Sequence, residues 1–169
     1  MTTVAIDRFQ PGDEGEVTAL ILSIQRDEFG FAVTAEDQPD LAAIPAFYQV
    51  GRGDFYVARD AGRIVGTISL KDIGEAHGAL RKMFVAPAWR GRERGVAARL
   101  LSRLLDDARA MGVVGVWLGT TDRYHAAHRF YEKNGFLEVA KSILPPGFPL
   151  MALDNKFYAL GLVGPGPGV

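Results

Sequence analysis

Five arginines, Arg90, Arg92, Arg94, Arg99 and Arg103, fall within sixteen residues whose one acid is Glu93. That local excess of four positive charges sits in a chain of 169 residues with a net charge of −1. Gly91 and Gly95 lie among the arginines, where the β-rich run 78–85 gives way to a helical repeat of Val96, Leu100, Leu101, Leu104, Ala108 and Met111. A glycine turn between a strand end and a helix start aims free backbone N–H groups and the positive end of the helix dipole at one place. An anion is stabilised there, and a phosphate fits best. The sequence lacks GxxxxGK[ST], a GxGxxG opening a strand-to-helix turn, and GxSxG, which removes the nucleotide P-loop, the dinucleotide fingerprint and the serine nucleophile elbow. With no cysteine there is no disulfide, thiol nucleophile or thiolate metal site. His125 and His128 share a helical spacing with Glu132 but read as helix-surface histidines, and no metal is expected.

These groups need elements to hold them. Residues 3–8 read as a strand. Pro11, Asp13, Glu14 and Glu16 then form an acidic helix start, with Val17, Leu20, Ile21 and Ile24 as its apolar stripe. The helix breaks at 28–31, and a shorter one carries Leu41, Ile44 and Tyr48 to the turn Gly51-Arg52-Gly53. Strands 54–59 and 63–70 flank Asp60-Ala61-Gly62 as a hairpin, followed by the strand 78–85. Beyond the long helix come a strand at 113–118, a helix at 124–134 closed by Gly135, a strand at 136–141, a loop at 144–149 and a last strand at 156–162. The unit 78–118 is strand, helix, strand, so its strands are parallel and joined by a right-handed crossover. The strands before it form an antiparallel meander. The fold class is α/β (α+β): a mixed, mostly antiparallel sheet with one parallel pair and flanking helices. At this length and 48% hydrophobic content, residues 1–162 make one domain, and the Gly/Pro-rich 163–169 is expected to be a flexible tail. No run is long and apolar enough for a membrane helix, and the first residues lack a signal-peptide pattern, so a cytoplasmic protein is expected.

The segment Leu80-Arg81-Lys82-Met83-Phe84-Val85-Ala86-Pro87, followed by Arg92-Glu93-Arg94-Gly95-Val96-Ala97, resembles the GNAT superfamily of acyl-CoA N-acyltransferases, whose signature [RQ]xxGx[GA] opens a helix after such a strand. A second block, Ala127-His128-Arg129-Phe130-Tyr131-Glu132-Lys133-Asn134-Gly135-Phe136, is similar to the family's A-x-x-x-Y-x-K-x-G-F. The resemblance covers 54–136 and implies that coenzyme A lies where the two parallel strands splay apart. Its pantetheine pairs with the backbone of Met83, Phe84 and Val85, with an oxyanion N–H near Phe84 or Val85. Its pyrophosphate is held by the amides of Arg92, Glu93, Arg94, Gly95, Val96 and Ala97, and Tyr124, Ala127 and Phe130 border the cofactor arm. Tyr131 matches the family's tyrosine acid, which serves the departing thiolate.

Three departures qualify the match. The resemblance also assigns Arg90 and Gly91 to the cofactor, on a loop two residues longer than usual. The position of the family's acid before the strand leucine is Ala79, leaving Glu75, His77 and Asp72 as bases, with Glu75 chosen. Tyr124 stands where many members have Asn. The family's acceptor pocket maps onto Glu28, Phe29 and Phe31, with 146–149 closing the other side. The implied function is acetyl-CoA-dependent acetyl transfer, direct and without a metal, to a primary amine of a small molecule or amino acid. The alternative is a non-catalytic acyl-CoA sensor; Tyr131 favours the enzyme and Ala79 keeps the alternative open. The expected partner is a small-molecule amine, not nucleic acid or a membrane, with a homodimer left open.

Overall fold

Alternation along a single strand explains why helices cover both faces of the sheet. In β2 (Asp54–Asp60), Phe55 and Val57 bury with Val17, Ile21, Ile44 and Tyr48, whereas Tyr56 and Ala58 bury with Leu100, Leu101 and Leu104. The computed structural model describes residues 4–162, and the expected tail at 163–169 lies outside the described residues. The remaining strands are β1 (Ala5–Arg8), β3 (Arg63–Gly74), β4 (His77–Val85), β5 (Gly115–Thr120), β6 (Leu137–Val139) and β7 (Lys156–Gly161). Among the described residues they form one seven-stranded sheet in the order β1-β2-β3-β4-β5-β7-β6, parallel at β4–β5 and antiparallel elsewhere. Helices α1 (Glu14–Leu22) and α2 (Ile44–Phe47) cover one face, and α3 (Val96–Ala110) and α4 (His125–Lys133) the other.

Most differences from the expected boundaries have local causes. β3 runs four residues past the expected Leu70 because the chain turns at Glu75 and Ala76, both at positive φ (54° and 63°), without the Asn-Gly pair that usually marks such a turn. The first helix continues as a π-helical segment, Ser23–Glu28, so α1 reaches the edge of the cleft. The shorter second helix is a 3-10 turn, Pro39–Ala42, followed by α2. The strand expected at 113–118 begins at Gly115, because the Val113 N–H is taken by the Ala108 carbonyl at the end of α3.

Two features of β4 create the site. Its pairing with β5 stops at Ala79–Trp117, so residues 80–85 and 118–120 diverge as a fork. Against β3, Thr67 pairs with Phe84 and Ser69 with Arg81, so one residue on β3 faces two on β4, a β-bulge at Lys82 and Met83. Lys82 takes φ 54° there. The fully buried hydroxyls of Thr67 and Ser69 hold the bulge by donating to the Lys82 and Arg81 carbonyls, each at 2.7 Å.

Candidate active site

The anion site begins where β4 ends. Residues 91–94 close one hydrogen-bonded turn, with the Arg94 and Gly95 N–H groups donating to the Gly91 carbonyl at 3.2 and 3.1 Å. That turn absorbs the two extra residues, and Gly95 still caps α3. Gly91 (φ 109°) and Gly95 (φ 66°) both occupy backbone regions that favour glycine. No side chain caps α3, so the N–H groups of Val96, Ala97 and Ala98 have no protein acceptor among the described residues.

The arginine cluster is smaller than the sequence suggests. Arg99 donates to the Val4 carbonyl, and Arg103 pairs with Asp107 at 3.0 Å, so both turn toward β1 and their own helix. Arg90 forms a bidentate pair with Glu28, at 2.6 and 2.7 Å, and donates to the Val85 carbonyl. This pair holds the Glu28 carboxyl below the usual carboxylate range. The sequence assigned Arg90 to the cofactor and Glu28 to the acceptor; the structure brings the two together. Arg92 and Arg94 are exposed and form no ion pair among the described residues.

Aromatic side chains bridge the fork. Tyr124, just before α4, meets Phe29 at 4.6 Å, Phe31 at 5.8 Å and Phe84 at 6.4 Å between ring centroids. Arg123 fixes this wall by donating to the Phe29 carbonyl and lying over the Phe31 ring at 4.6 Å. Burial pushes the Tyr124 phenol up to about 12. Tyr131 packs against Phe136 and Tyr158, with Ala127 and Phe130 half-buried beside it. Its phenol is raised above its ordinary value by burial, with Tyr124 and Tyr158 adding to the effect, and among the described residues nothing hydrogen-bonds to it. It therefore stays protonated and keeps a free donor. His128 is buried rather than on the surface, its Nε2 2.8 Å from the Thr121 carbonyl. Among the described residues no three His, Asp or Glu side chains cluster as a metal site.

The expected bases lie at the closed end. Glu75 is exposed in the β3–β4 turn, two residues before β4 begins and four before the last β4–β5 pair. His77 accepts a hydrogen bond from Trp117 Nε1 at 3.1 Å. Asp72 accepts from the Arg52 and Gly74 N–H groups, which keeps its carboxyl below the ordinary range. The loop 146–149 meets this end too: Gly147 lies so close to the Ile73 carbonyl that a Cβ would come within 2.4 Å of it.

This fork, bulge and open helix start can be set beside known proteins. A family profile described as the Acetyltransferase (GNAT) family matches residues 18–136. The chain belongs to the GNAT family. An acetyltransferase of that family from Staphylococcus aureus Mu50 superposes with a TM-score of 0.91 at 34% identity, covering 95% of this chain and 99% of that one. The N-acetylaspartate synthetase of Danio rerio is 32% identical over 125 residues, 72% of this chain and 44% of that protein. The yncA protein of Salmonella typhimurium, solved with its cofactor acetyl-CoA, shares the GNAT fold with a TM-score of 0.71 at 22% identity over 98% of this chain and 97% of that one. The chain spans about half the length of the curated relatives it matches. Among the described residues, no helix is long and apolar enough to cross a membrane.

On the α1–α2 face of this GNAT fold, side chains from five segments meet at the bulge. Lys82 Nζ donates to Gln38 Oε1 at 2.7 Å, and Gln38 pairs with Gln25 through two hydrogen bonds. Tyr48 donates to Asp40 at 2.6 Å and accepts from Arg81 Nε at 3.0 Å. From the β6–β7 loop, Asp154 reaches over the splayed part of β5: a Cβ at Gly119 would lie 2.5 Å from its Oδ2. Burial raises the Asp154 carboxyl against the opposing Met151 N–H, Arg81 and Lys82. Burial likewise lowers Lys82 to about 8, with Asp40 opposing. Sequence reasoning passed over Asp154, Asp40 and Lys82 as chemical groups. One signal was present, the glycine at position 119 inside a strand, which marks the close approach of another group.

Proposed function

We propose that this protein is an N-acetyltransferase that moves an acetyl group from acetyl-CoA directly to a primary amine of a small molecule or amino acid. One observation carries the reading: a helix start with three unspent amides stands at the open end of a strand fork whose walls bring a free phenol, Tyr131, and a half-buried carboxylate, Asp154. The Salmonella relative, solved with acetyl-CoA, and the Danio rerio relative, an N-acetylaspartate synthetase, support the donor and the kind of acceptor.

In this reading the Val96–Ala98 amides, with Arg92 and Arg94, hold the pyrophosphate, and the free edge of β4 at 83–85 pairs with the pantetheine. The neutral amine attacks the thioester carbonyl carbon, the C–N bond forms, and a backbone N–H near Phe84 or Val85 receives the oxyanion. The C–S bond then breaks. Asp154 takes the amine proton, directly or through a water; its raised affinity for protons suits it to that task. Glu75, in the turn at the closed end of the fork, has no part in this reading. A thiolate, with a conjugate-acid pKa near ~8.5, is a weaker base than a phenolate near ~10, so full transfer from Tyr131 is uphill. Tyr131 instead donates a hydrogen bond to the leaving sulfur, which finally carries the proton lost by the amine.

The test is thiol release from acetyl-CoA across a panel of amines, amino acids and peptides, alongside thermal melting with coenzyme A. Release with at least one amine and a raised Tm are expected. An unchanged Tm at millimolar coenzyme A would sink the donor assignment; a raised Tm with no acceptor for any amine would favour a sensor.

A further inference from the structure

The splayed half of β4 opens with two cations whose hydrogen-bonding capacity the fold leaves unspent. Arg81 and Lys82 carry five and three N–H donors. Arg81 uses one on the Tyr48 hydroxyl at 3.0 Å and one on the Met151 thioether at 3.6 Å, and Lys82 uses one on Gln38 at 2.7 Å. Asp40 lies 3.7 Å from each, close enough to attract but too far to accept a hydrogen bond. The two side chains are only 11% and 7% exposed. Burying two ions with no carboxylate in hydrogen-bond reach is costly, and packing alone would be served better by apolar residues. The acids of the network flank the cations, Asp40 on the α2 side and Asp154 over β5.

We infer that Arg81 and Lys82 recognise a carboxylate on the acceptor, so that the amine acetylated belongs to a free amino acid. A cation pair flanked by two acids complements a zwitterion. A phosphate dianion would face both acids, whereas an amino acid presents its carboxylate to the cations and its amine to Asp154. The positions also suit the reaction: residues 81 and 82 are just past the fork and immediately before the β4 backbone at Phe84 and Val85. A carboxylate held there leaves an amine one carbon away within reach of that backbone. This inference rests on the transfer reading above, and it names the substrate class.

The experiment measures thiol release from acetyl-CoA with each proteinogenic amino acid and, in parallel, with its carboxamide. The kcat/KM for the best amino acid is expected to exceed that of its amide by about tenfold or more, since a hydrogen bond to a charged group is worth that much. That ratio should fall about tenfold in Lys82→Gln and in Arg81→Gln and recover in Lys82→Arg. Amides turned over as well as acids, or a ratio unchanged in both glutamine variants, would overturn the inference. Should those variants fail to fold, the wild-type ratio decides. If no amine releases thiol, the transfer reading fails separately. The melting of the coenzyme A complex then decides: a rise with amino acids but not amides upholds the carboxylate site, and equal melting removes it.

Discussion

The start of α3 and the network around Lys82 both offer positive charge to the splayed strands, but they are made of different material. At α3 the groups come from one continuous stretch, 90–98, and consist of backbone amides and exposed arginines. Around Lys82 they come from the π-helical end of α1, the turn before α2, the end of α2, β4 and the β6–β7 loop, and they are buried or half-buried. A backbone site tolerates the loss of most side chains and fails when its dihedrals change. A buried side-chain network keeps its backbone through most substitutions and fails when one charge is lost, because the partner is left unpaired away from water. The first suits a ligand part common to many reactions, the second an acceptor that must be selected.

The comparison breaks most sharply at Gly95. Gly95→Asp places a side chain at φ 66° and a negative charge at the amides, and should weaken coenzyme A binding a hundredfold or more. At a ligand concentration a hundred times the wild-type Kd, this removes most of about 2.7 kcal/mol of ligand-induced stability, read as a lost Tm shift. Arg103→Ala, whose guanidinium already faces Asp107, should leave that shift nearly whole; equal losses would move the anion site elsewhere. Asp154→Asn should lower kcat by about a hundredfold with little change in coenzyme A affinity, as expected for a lost general base. In the wild type the acidic limb of kcat/KM reflects the protonation of Asp154, which burial places above the usual carboxylate range, and in the variant that limb should follow the amine alone. Tyr131→Phe keeps the ring and removes the donor, so a fall in kcat of about tenfold with unchanged coenzyme A binding is expected. Wild-type turnover would make Tyr131 a packing residue.

A smaller effect sharpens the contrast in pH. Lys82, faced by Gln38, Asp40, Arg81 and Asp154, has its ammonium lowered to about 8 by burial. The charged form therefore holds an acceptor carboxylate below that pH and loses it above, while the bound carboxylate itself draws the value upward. KM for an amino acid should rise several-fold as the pH climbs past 8, and Lys82→Arg, which stays charged, should flatten the rise. The site at α3 rests on backbone amides, so coenzyme A affinity should not follow. Smallest of all, Glu75→Gln should leave kcat/KM within about twofold, since the residue sits in the turn at the closed end of the fork. A tenfold loss would return the base to the position the sequence first suggested.

The sequence by itself determined the mixed sheet with its parallel pair, the long amphipathic α3 and the glycine turn before it, because hydrophobic period, glycine and charge are local and contiguous. It also singled out Tyr131, since the spacing from Ala127 to Gly135 is confined to one helix and its end. What it could not decide was which charges meet. Arg90 turning to Glu28 spans 62 positions, and Lys82 reaching Gln38 spans 44. Asp154 arrives over Gly119 on a loop without periodicity. Neither composition nor spacing carries such pairings. They follow from the bulge that sets Lys82 at φ 54° and from the π-helical turn that carries α1 to Glu28. Both are backbone irregularities whose cost is recovered only by tertiary packing, and so only the folded chain could assign those charges to a site.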